Sequence, residues 1–586
     1  MIKRVFRQML VTQILSSMTV MICMLIDSIM IGRFLGVDSM TAYGLATPVL
    51  LVFAAFGSML SAGIQVKLGK TMGSGDMEGT NGCYTVSFFL TAAVSVIGLA
   101  AVLIFINPVC TLLGAGDPTP GNKIFELTRD YIRGFIIGAP AFMFAQIMVP
   151  FMQISGSRLR LIVAVGAMTV GDVVFDILNV NNLLFFDGST FGMGLASSLS
   201  YYIAFTIGIA YFFKKKCMFK FRIKLINAKK CFELLKYGVP TVINQISTVL
   251  LVFVLNKVLL NVGGDGAVAA YSVISTIGNI CYCVGAGVAS VALMLSSIFY
   301  SDEDRPELRS LVKTMTFYAL VLDAALIVIA LVFARFLAQM FLTDAAALKM
   351  ATTGLRLFSL SLLSCSLNTV FKNYYQGVNK AGFTQAISVM QNFAFTAMFA
   401  FVLSRFMSTN GVWLSFLCGE TLTLIIICAV VWINGKKISF SPDAFMLLPE
   451  EFGAKEGDYI EMSFDNEEGP VVVSNKAGEF CREHGESNRN SNLISLCIEE
   501  MSNNIVQHGF TKDNKKHSVD IRLLFKNGRR LIRIRDNCVN FDPINYIELH
   551  KADDPTSHIG IRMVMKMVKS ANYVNSLGLN NLTLEL

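Results

Sequence analysis

The sequence is poor in charge. Asp, Glu, Lys and Arg make up 15% of its 586 residues, where soluble domains carry about 25%. With 54% hydrophobic residues and a mean hydropathy of +0.58, this shortfall excludes a cytosolic enzyme of this size and leaves lipid as the solvent for much of the chain. Paired cysteine spacing is missing too. The 13 Cys are sparse and lie mostly in apolar runs, which excludes a disulfide-stapled secreted protein, and 45 Phe exclude a disordered one. Histidine is absent before His484, and all five (His484, His508, His517, His550, His558) fall near the C-terminus. Net charge divides in the same place, +13 before Ser441 and −5 from there on. Two different solvents have shaped the two parts.

What is present is a series of apolar runs, each about the 20 residues that a helix needs to cross a bilayer. Roughly twelve are expected, centred near Thr19, Ala55, Val96, Ala141, Thr169, Ile203, Leu250, Val284, Ile327, Leu362, Ala394 and Ile425. The first follows Lys3, Arg4 and Arg7, is too long for a signal-peptide core and lacks a small-x-small cleavage site, so it reads as a retained span. Basic residues gather in alternate loops (Lys67 and Lys70; Arg158 and Arg160; Lys214 to Lys236; Arg305, Arg309 and Lys313; Lys436 and Lys437). Positive-inside bias then places both termini of this multi-pass membrane protein in the cytoplasm.

The membrane part repeats itself. Leu35-Gly36 and Ala42-Tyr43 recur as Gly263-Gly264 and Ala270-Tyr271, Gln153 and Gly156 are echoed by Gln376-Gly377, and Gly192 to Leu195 by Gly411 to Leu414. Six spans therefore pair with six. The expected organisation is a first lobe over 1–213, a basic connection and natural hinge over 214–236, a second lobe over 237–435, a linker over 436–464 carrying Pro442 and Pro449, and a soluble domain over 465–586. Strands are expected at Tyr459 to Phe464, Val519 to Phe525, Leu531 to Arg535, Tyr573 to Ser576 and Leu582 to Leu586. Helices are expected at Asn475 to His484, Ser491 to Gln507 and Gly560 to Lys569, with an irregular stretch from Asn537 to Ser557. The fold class is thus a polytopic all-α membrane protein carrying a C-terminal α+β sandwich.

Acids inside spans are expensive, which makes Asp27, Asp172, Asp176, Asp323 and Glu420 candidates, the last two weaker. Asp172 and Asp176, four apart, share a helix face, where two carboxylates repel and favour a held proton or a shared cation. Asn179, Asn181 and Asn182 read as loop residues.

These residues have a family look. Asp27 to Gly36 followed by Ala42 to Pro48 resembles the opening of multidrug and toxic compound extrusion (MATE) transporters. So do Gly69 to Gly79, Gly138-Ala139-Pro140 with Gln153 and Gly156, Tyr237 to Pro240, Tyr375-Gln376-Gly377 and Gly411-Val412-Trp413. The resemblance covers about residues 1 to 435. It implies a twelve-helix antiporter that exports small organic, often cationic, molecules against Na⁺ or H⁺. In the branch with a first-lobe ion site, an Asp of the first helix and an Asn-x-x-x-Asp of the fifth form that site; the matching positions here are Asp27, Asp172 and Asp176, with Asp172 standing where Asn is usual. The other branch keeps a Glu early in the seventh helix, where this chain has Asn244-Gln245, so a second-lobe ion site is disfavoured.

In the tail, Glu500 and Asn504 lie four apart on a helix, where a general-base carboxylate and a neutral Mg²⁺ ligand would project side by side. Asp536 closes a strand, Arg533-Ile534-Arg535-Asp536, and is suited to accept from an exocyclic amine. The set resembles the GHKL (Bergerat) ATP-binding fold of histidine kinases and gyrase, most closely the anti-sigma-factor serine kinases, over about residues 465 to 586. The resemblance implies Mg·ATP as cofactor, Glu500 as catalytic base, Asn504 as Mg²⁺ ligand, and Asp536 and Gly560 in nucleotide binding. The usual Asp-x-Gly-x-Gly reads Asp536-Asn537-Cys538-Val539-Asn540 here, and the glycine-rich lid is reduced to His558-Ile559-Gly560. The tail thus stands open between a nucleotide-sensing regulator of transport, a serine/threonine kinase or ATPase acting on an anti-sigma-antagonist (STAS-like) protein, and a degenerate docking module. Its negative charge argues against nucleic acid as a partner.

Overall fold

The computed structural model describes residues 2–119, 121–184, 186–213, 217–342, 344–435, 438–449, 451–454, 457–510, 516–526, 528–549 and 559–586. Among them, nine helices are long and apolar enough to cross a membrane. Two bent pairs, Lys123–Ile136 with Ala139–Ile154 and Ala345–Ser359 with Leu362–Gly377, turn by 45° and 48° and bring the number to eleven. The last helix, Ala381–Gly435, has 55 residues, more than twice what a bilayer requires. It breaks at Ser408, where φ is 53° and ψ −135°. Counted as two, it makes twelve spans, and each expected centre falls on one of them. The first bend has a local cause in Gly138-Ala139-Pro140, because Pro140 has no N–H to continue the preceding ladder and suits a helix start.

The repeat is visible in the backbone. Gly36 ends the first span with φ 90°, and its echo Gly264 ends the seventh with φ 62°, a region that L side chains avoid. Gly156 follows the fourth span with φ 71°. Asn379, at the same distance from Gln376 as Gly156 from Gln153, follows the tenth with φ 65°. The connection between the lobes is less free than a hinge. Its described part is strapped to the third span (Met77–Ile104), with Lys220 N donating to Asn81 Oδ1 at 2.7 Å and Arg222 N to Thr85 Oγ1 at 3.0 Å. Lys214 to Lys216 lie outside the described residues, as do Lys436 and Lys437.

The tail holds five antiparallel strands, β1 (Tyr459–Phe464), β2 (Val519–Lys526), β3 (Arg529–Asp536), β4 (Ser570–Ser576) and β5 (Leu579–Glu585), in the order β1-β2-β3-β5-β4. Because β1 pairs with β2, the sheet takes in the last residues of the expected linker. Helices Gly469–Glu483, Asn488–Gly509 and Ile559–Met567 cover one face; Val473, Ile494, Cys497 and Val564 meet Ile521, Leu523, Ile532 and Leu584 in its core. Within the stretch expected to be irregular, Pro543–Leu549 is a short helix.

The other face of the sheet does not face solvent. Period-two alternation puts Arg522, Lys526, Arg533 and Arg535 on one side, with Arg522 directly opposite Arg533 in the register. These like charges meet the acidic turn between the eighth span (Gly266–Ser301) and the ninth (Arg305–Gln339). Arg522 pairs with Asp304, Lys526 with Glu303, Arg533 with Asp302 at 3.0 Å, and Arg535 with Glu307 at 2.9 Å. The turn between β4 and β5 reaches the first lobe, where Leu577 N donates to Ile154 O at 2.6 Å. The tail therefore touches both lobes. Arg4 Nη1 donates to Lys516 O at 3.4 Å, so the start of the first span is on the tail's side. On that side the lobes also meet directly: Ser301 Oγ donates to Lys70 O at 2.6 Å, Ser297 Oγ to Gln65 O at 3.1 Å, and Lys67 pairs with Glu233 at 2.9 Å.

Candidate functional site

Asp27 comes from the first span, Asp172 and Asp176 from the fifth (Leu159–Val180), and all three are buried, at 6%, 1% and 0% exposure. Asp27 interacts with both of the others, so the structure brings the three carboxylates into one cluster. Ser197 Oγ, from the sixth span, donates to Asp27 Oδ2 at 3.2 Å. Four carboxylate oxygens, Asp27 Oδ1, Asp172 Oδ2 and both of Asp176, have no hydrogen-bond partner. No Lys or Arg pairs with any of the three among the described residues. Tyr43 and Tyr131 stand beside the cluster in an edge-to-face pair 5.4 Å apart. Buried carboxylates without donors demand a proton or a cation. Asn179 is not a loop residue: it is the penultimate residue of its helix, fully buried, and its Nδ2 donates to Ser189 O at 3.1 Å, closing the loop that follows. Asn181 and Asn182 do lie in the turn.

Asp323 and Glu420 are buried in the second lobe, far along the chain from the first cluster. They line a cavity that also includes Lys372 of the tenth span, a residue that a search for membrane-embedded acids passes over. Glu420 accepts from Asn368 Nδ2 at 2.8 Å, and Asp323 Oδ2 has no partner.

In the tail, Glu500, Asn504 and Gly560 come together. Asn504 Nδ2 donates to Glu500 O at 2.7 Å. A Cβ added at Gly560 would stand 2.1 Å from Glu500 Oε2 and 3.8 Å from Asn504 Nδ2, so a side chain where Ile559–Met567 begins would displace the Glu500 carboxylate. Asp536 ends β3 beside the helix Asn488–Gly509, whose Gly509 abuts Cys538. Its Oδ1 accepts from Cys538 N at 2.9 Å and Asn580 Nδ2 at 2.8 Å, and burial pushes its carboxyl above the usual range. The two halves of the expected nucleotide site are thus neighbours, with Asp536 partly engaged by the chain's own Asn580. His558, of the reduced lid, lies outside the described residues.

The family model MatE matches residues 13–178 and 240–402, more than half of the chain, once in each lobe. The chain belongs to the MATE family. It is 21% identical over 397 residues to a multidrug export protein, MepA, of Staphylococcus aureus, covering 67% of this chain and 85% of that one. Against MepA of Staphylococcus saprophyticus the identity is 23% over 405 residues, covering 68% and 87%. Among solved structures, an outward-facing multidrug resistance MATE family transporter of the MOP superfamily superposes with a TM-score of 0.66 at 19% identity, covering 72% of this chain and 94% of that one. The Vibrio cholerae MATE transporter VcmN gives 0.66 at 16%, with the same coverage.

The matched segments of this MATE chain take in Asp27, Asp172, Asp176, Asp323 and Lys372 and end before Glu420 and the tail. Two features escaped sequence reasoning. Lys372 carried a signal, being a lone base inside an apolar run with Asn368 and Gln376 a turn away on either side. The acids Asp302 to Glu307 give no such signal, because along the chain they stand among Arg305, Arg309 and Lys313.

Proposed function

We propose that this MATE transporter exports small organic molecules, xenobiotics among them, across the bacterial cytoplasmic membrane by alternating access, driven by Na⁺ or H⁺ bound at Asp27, Asp172 and Asp176. The observation that carries the reading is the cluster of three buried carboxylates with four unpartnered oxygens and, among the described residues, no basic partner. An ion neutralises that cluster in one state and leaves it in the other, so differential occupancy biases the lobes. The names of the two MepA relatives support drug export, and the basic loops support cytoplasmic termini. Efflux of ethidium from proteoliposomes under imposed Na⁺ and H⁺ gradients tests the reading. Asp27→Asn and Asp176→Asn should each abolish gradient-driven efflux, and unchanged efflux in both would overturn it.

The tail reads as a cytoplasmic regulator that restrains the transporter. It contacts the first lobe through Leu577 and the second through Asp302 to Glu307, so lobes that separate on that side must first release it. The grouping of Glu500, Asn504 and Gly560 favours a GHKL-type Mg·ATP site, with Asn504 as metal ligand, Gly560 and the helix start facing phosphate, and Asp536 toward the base. When bound, the nucleotide would supply a transferable phosphoryl group, with Glu500 as the base that takes the acceptor's proton. A STAS-like protein is the acceptor in the kinase reading and a docking partner in the degenerate one. Calorimetric titration of the full chain with Mg·ATP separates the two: binding lost in Asn504→Ala supports the nucleotide site, and absence of binding supports docking alone.

A further inference from the structure

The second lobe holds a cavity of about 310 Å³ that ion coupling leaves without a role. Its walls are chemically divided. Tyr271, Tyr282, Phe358 and Phe416 supply aromatic sides, Lys372 reaches it from the tenth span, and Asp323 and Glu420 reach it from the ninth and twelfth. The three ionisable side chains are buried, at 7%, 2% and 5% exposure, yet no ion pair forms between them. Lys372 Nζ donates instead to two neutral carbonyls, Asn244 Oδ1 at 2.5 Å and Gln391 Oε1 at 3.1 Å. Gln391 is itself fixed, its Nε2 donating to Cys365 O at 3.1 Å and Thr369 Oγ1 at 2.9 Å. Gln391 and Asn392 belong to a π-helical turn, Met390–Ala394, which brings both to the cavity wall. Such wide turns cluster at functional sites.

Burying an ammonium and carboxylates inside a membrane bundle is costly, and direct pairing would offset part of the cost. This lobe forgoes the pair and keeps a positive group and a carboxylate with one unpartnered oxygen, Asp323 Oδ2, on the wall of one aromatic chamber. A ligand carrying both charges satisfies each. We propose that the cavity binds an aromatic zwitterion of the class of amino acids and short peptides, its carboxylate at Lys372, its ammonium at Asp323 with Glu420 nearby, and its ring against the aromatic wall. The volume lies at the low end of ligand pockets, about 300 to 1,000 Å³, which limits the ligand to dipeptide size. That such a molecule is a passenger rests on the export reading; that it binds does not.

The test is calorimetric titration of the purified full-length chain in detergent with the dipeptide phenylalanylalanine, its C-terminal amide and its N-acetyl form. The free dipeptide should bind at least about tenfold more tightly than either capped form, the scale of one lost charged contact. Lys372→Met should erase the penalty for amidation, Asp323→Asn the penalty for acetylation, and Lys372→Arg should keep both. Capped forms that bind as well as the free one, no binding of any of the three, or discrimination that survives Lys372→Met would each overturn the proposal. The series on the native chain decides even where a variant fails to fold. Because the titration needs no gradient, its failure leaves export standing, and a chain that binds without exporting would fail the export reading alone.

Discussion

In the first lobe three carboxylates meet with no base beside them among the described residues, whereas in the second a lysine and two carboxylates are distributed around a cavity. The backbones are built alike, with left-handed residues ending the first and seventh spans and the fourth and tenth spans bent by similar angles. The charges ignore that likeness. The register that carries Gly36 onto Gly264 carries Asp27 onto Leu255, and the one that carries Gln153 onto Gln376 carries Asp172 and Asp176 onto Phe395 and Phe399. Shared packing therefore constrains the repeat's glycines and bends, while the interior polar groups are free to diverge, as the proposed division between an ion site and a passenger site requires.

The strongest way to break that contrast is to neutralise the first lobe. Asp176→Asn should lower gradient-driven efflux by about a hundredfold, the scale of losing an essential coupling charge, read in proteoliposomes. If Glu420→Gln in the second lobe cost as much, the division of labour would be wrong. The expected loss for Glu420→Gln is nearer tenfold and falls on the apparent affinity for the passenger, with the response to the ion gradient intact, as a Km and Vmax series for each ion will tell.

A smaller effect separates the tail from the lobes it joins. Arg522→Glu together with Arg533→Glu leaves Asp302 and Asp304 facing like charge, which costs several kcal/mol at a buried pair, about 3 to 5 for one lost partner. Protease should then cut the 436–458 linker several-fold faster in inside-out vesicles, and efflux should rise. Cleavage at the native rate would contradict the docking. The weakest effect is pH-dependent. Burial pushes the Asp302 carboxyl up to about 6 against the pull of Arg533, with Asp304 adding to the rise. Asp304 is more deeply buried, but Arg522 and Arg533 hold it below its ordinary value. A carboxyl raised on docking contributes below its free value and loses that contribution as pH rises through about 6. Lowering pH from about 7.5 to about 5.5 should therefore slow cleavage modestly, and Asp302→Asn should weaken the response, with the remainder carried by Glu307, which burial raises to about 7 at the same face.

The spans and the tail strands were legible because apolar length and period-two alternation are local properties. Asp27, Asp172 and Asp176 were legible too, since a carboxylate in an apolar run is conspicuous wherever the chain folds. The second-lobe chamber was not, because its character comes from Lys372, Asp323 and Glu420 arriving from three spans, and no spacing along the chain announces them. Nor was the docking face. A tail of net charge −5 conceals Arg522, Arg533 and Arg535, which only strand pairing gathers on one side.

The turn between β4 and β5 has a mechanical meaning. Gly578 and Gly156 meet backbone to backbone, both left-handed at φ 75° and 71°, and a Cβ on Gly156 would come within 2.9 Å of Gly578 Cα. No flexible side chain cushions this contact, so a tilt of the fourth span is passed to the turn undamped. Just beyond the turn, Asn580 holds Asp536 and accepts from Tyr573 Oη at 2.6 Å. The posture of the transporter is thus linked, through two residues of chain and one hydrogen bond, to the carboxylate at the tail's candidate nucleotide pocket, like a feeler resting on a moving part. Whatever occupies that pocket would register the stroke of the pump as well as restrain it.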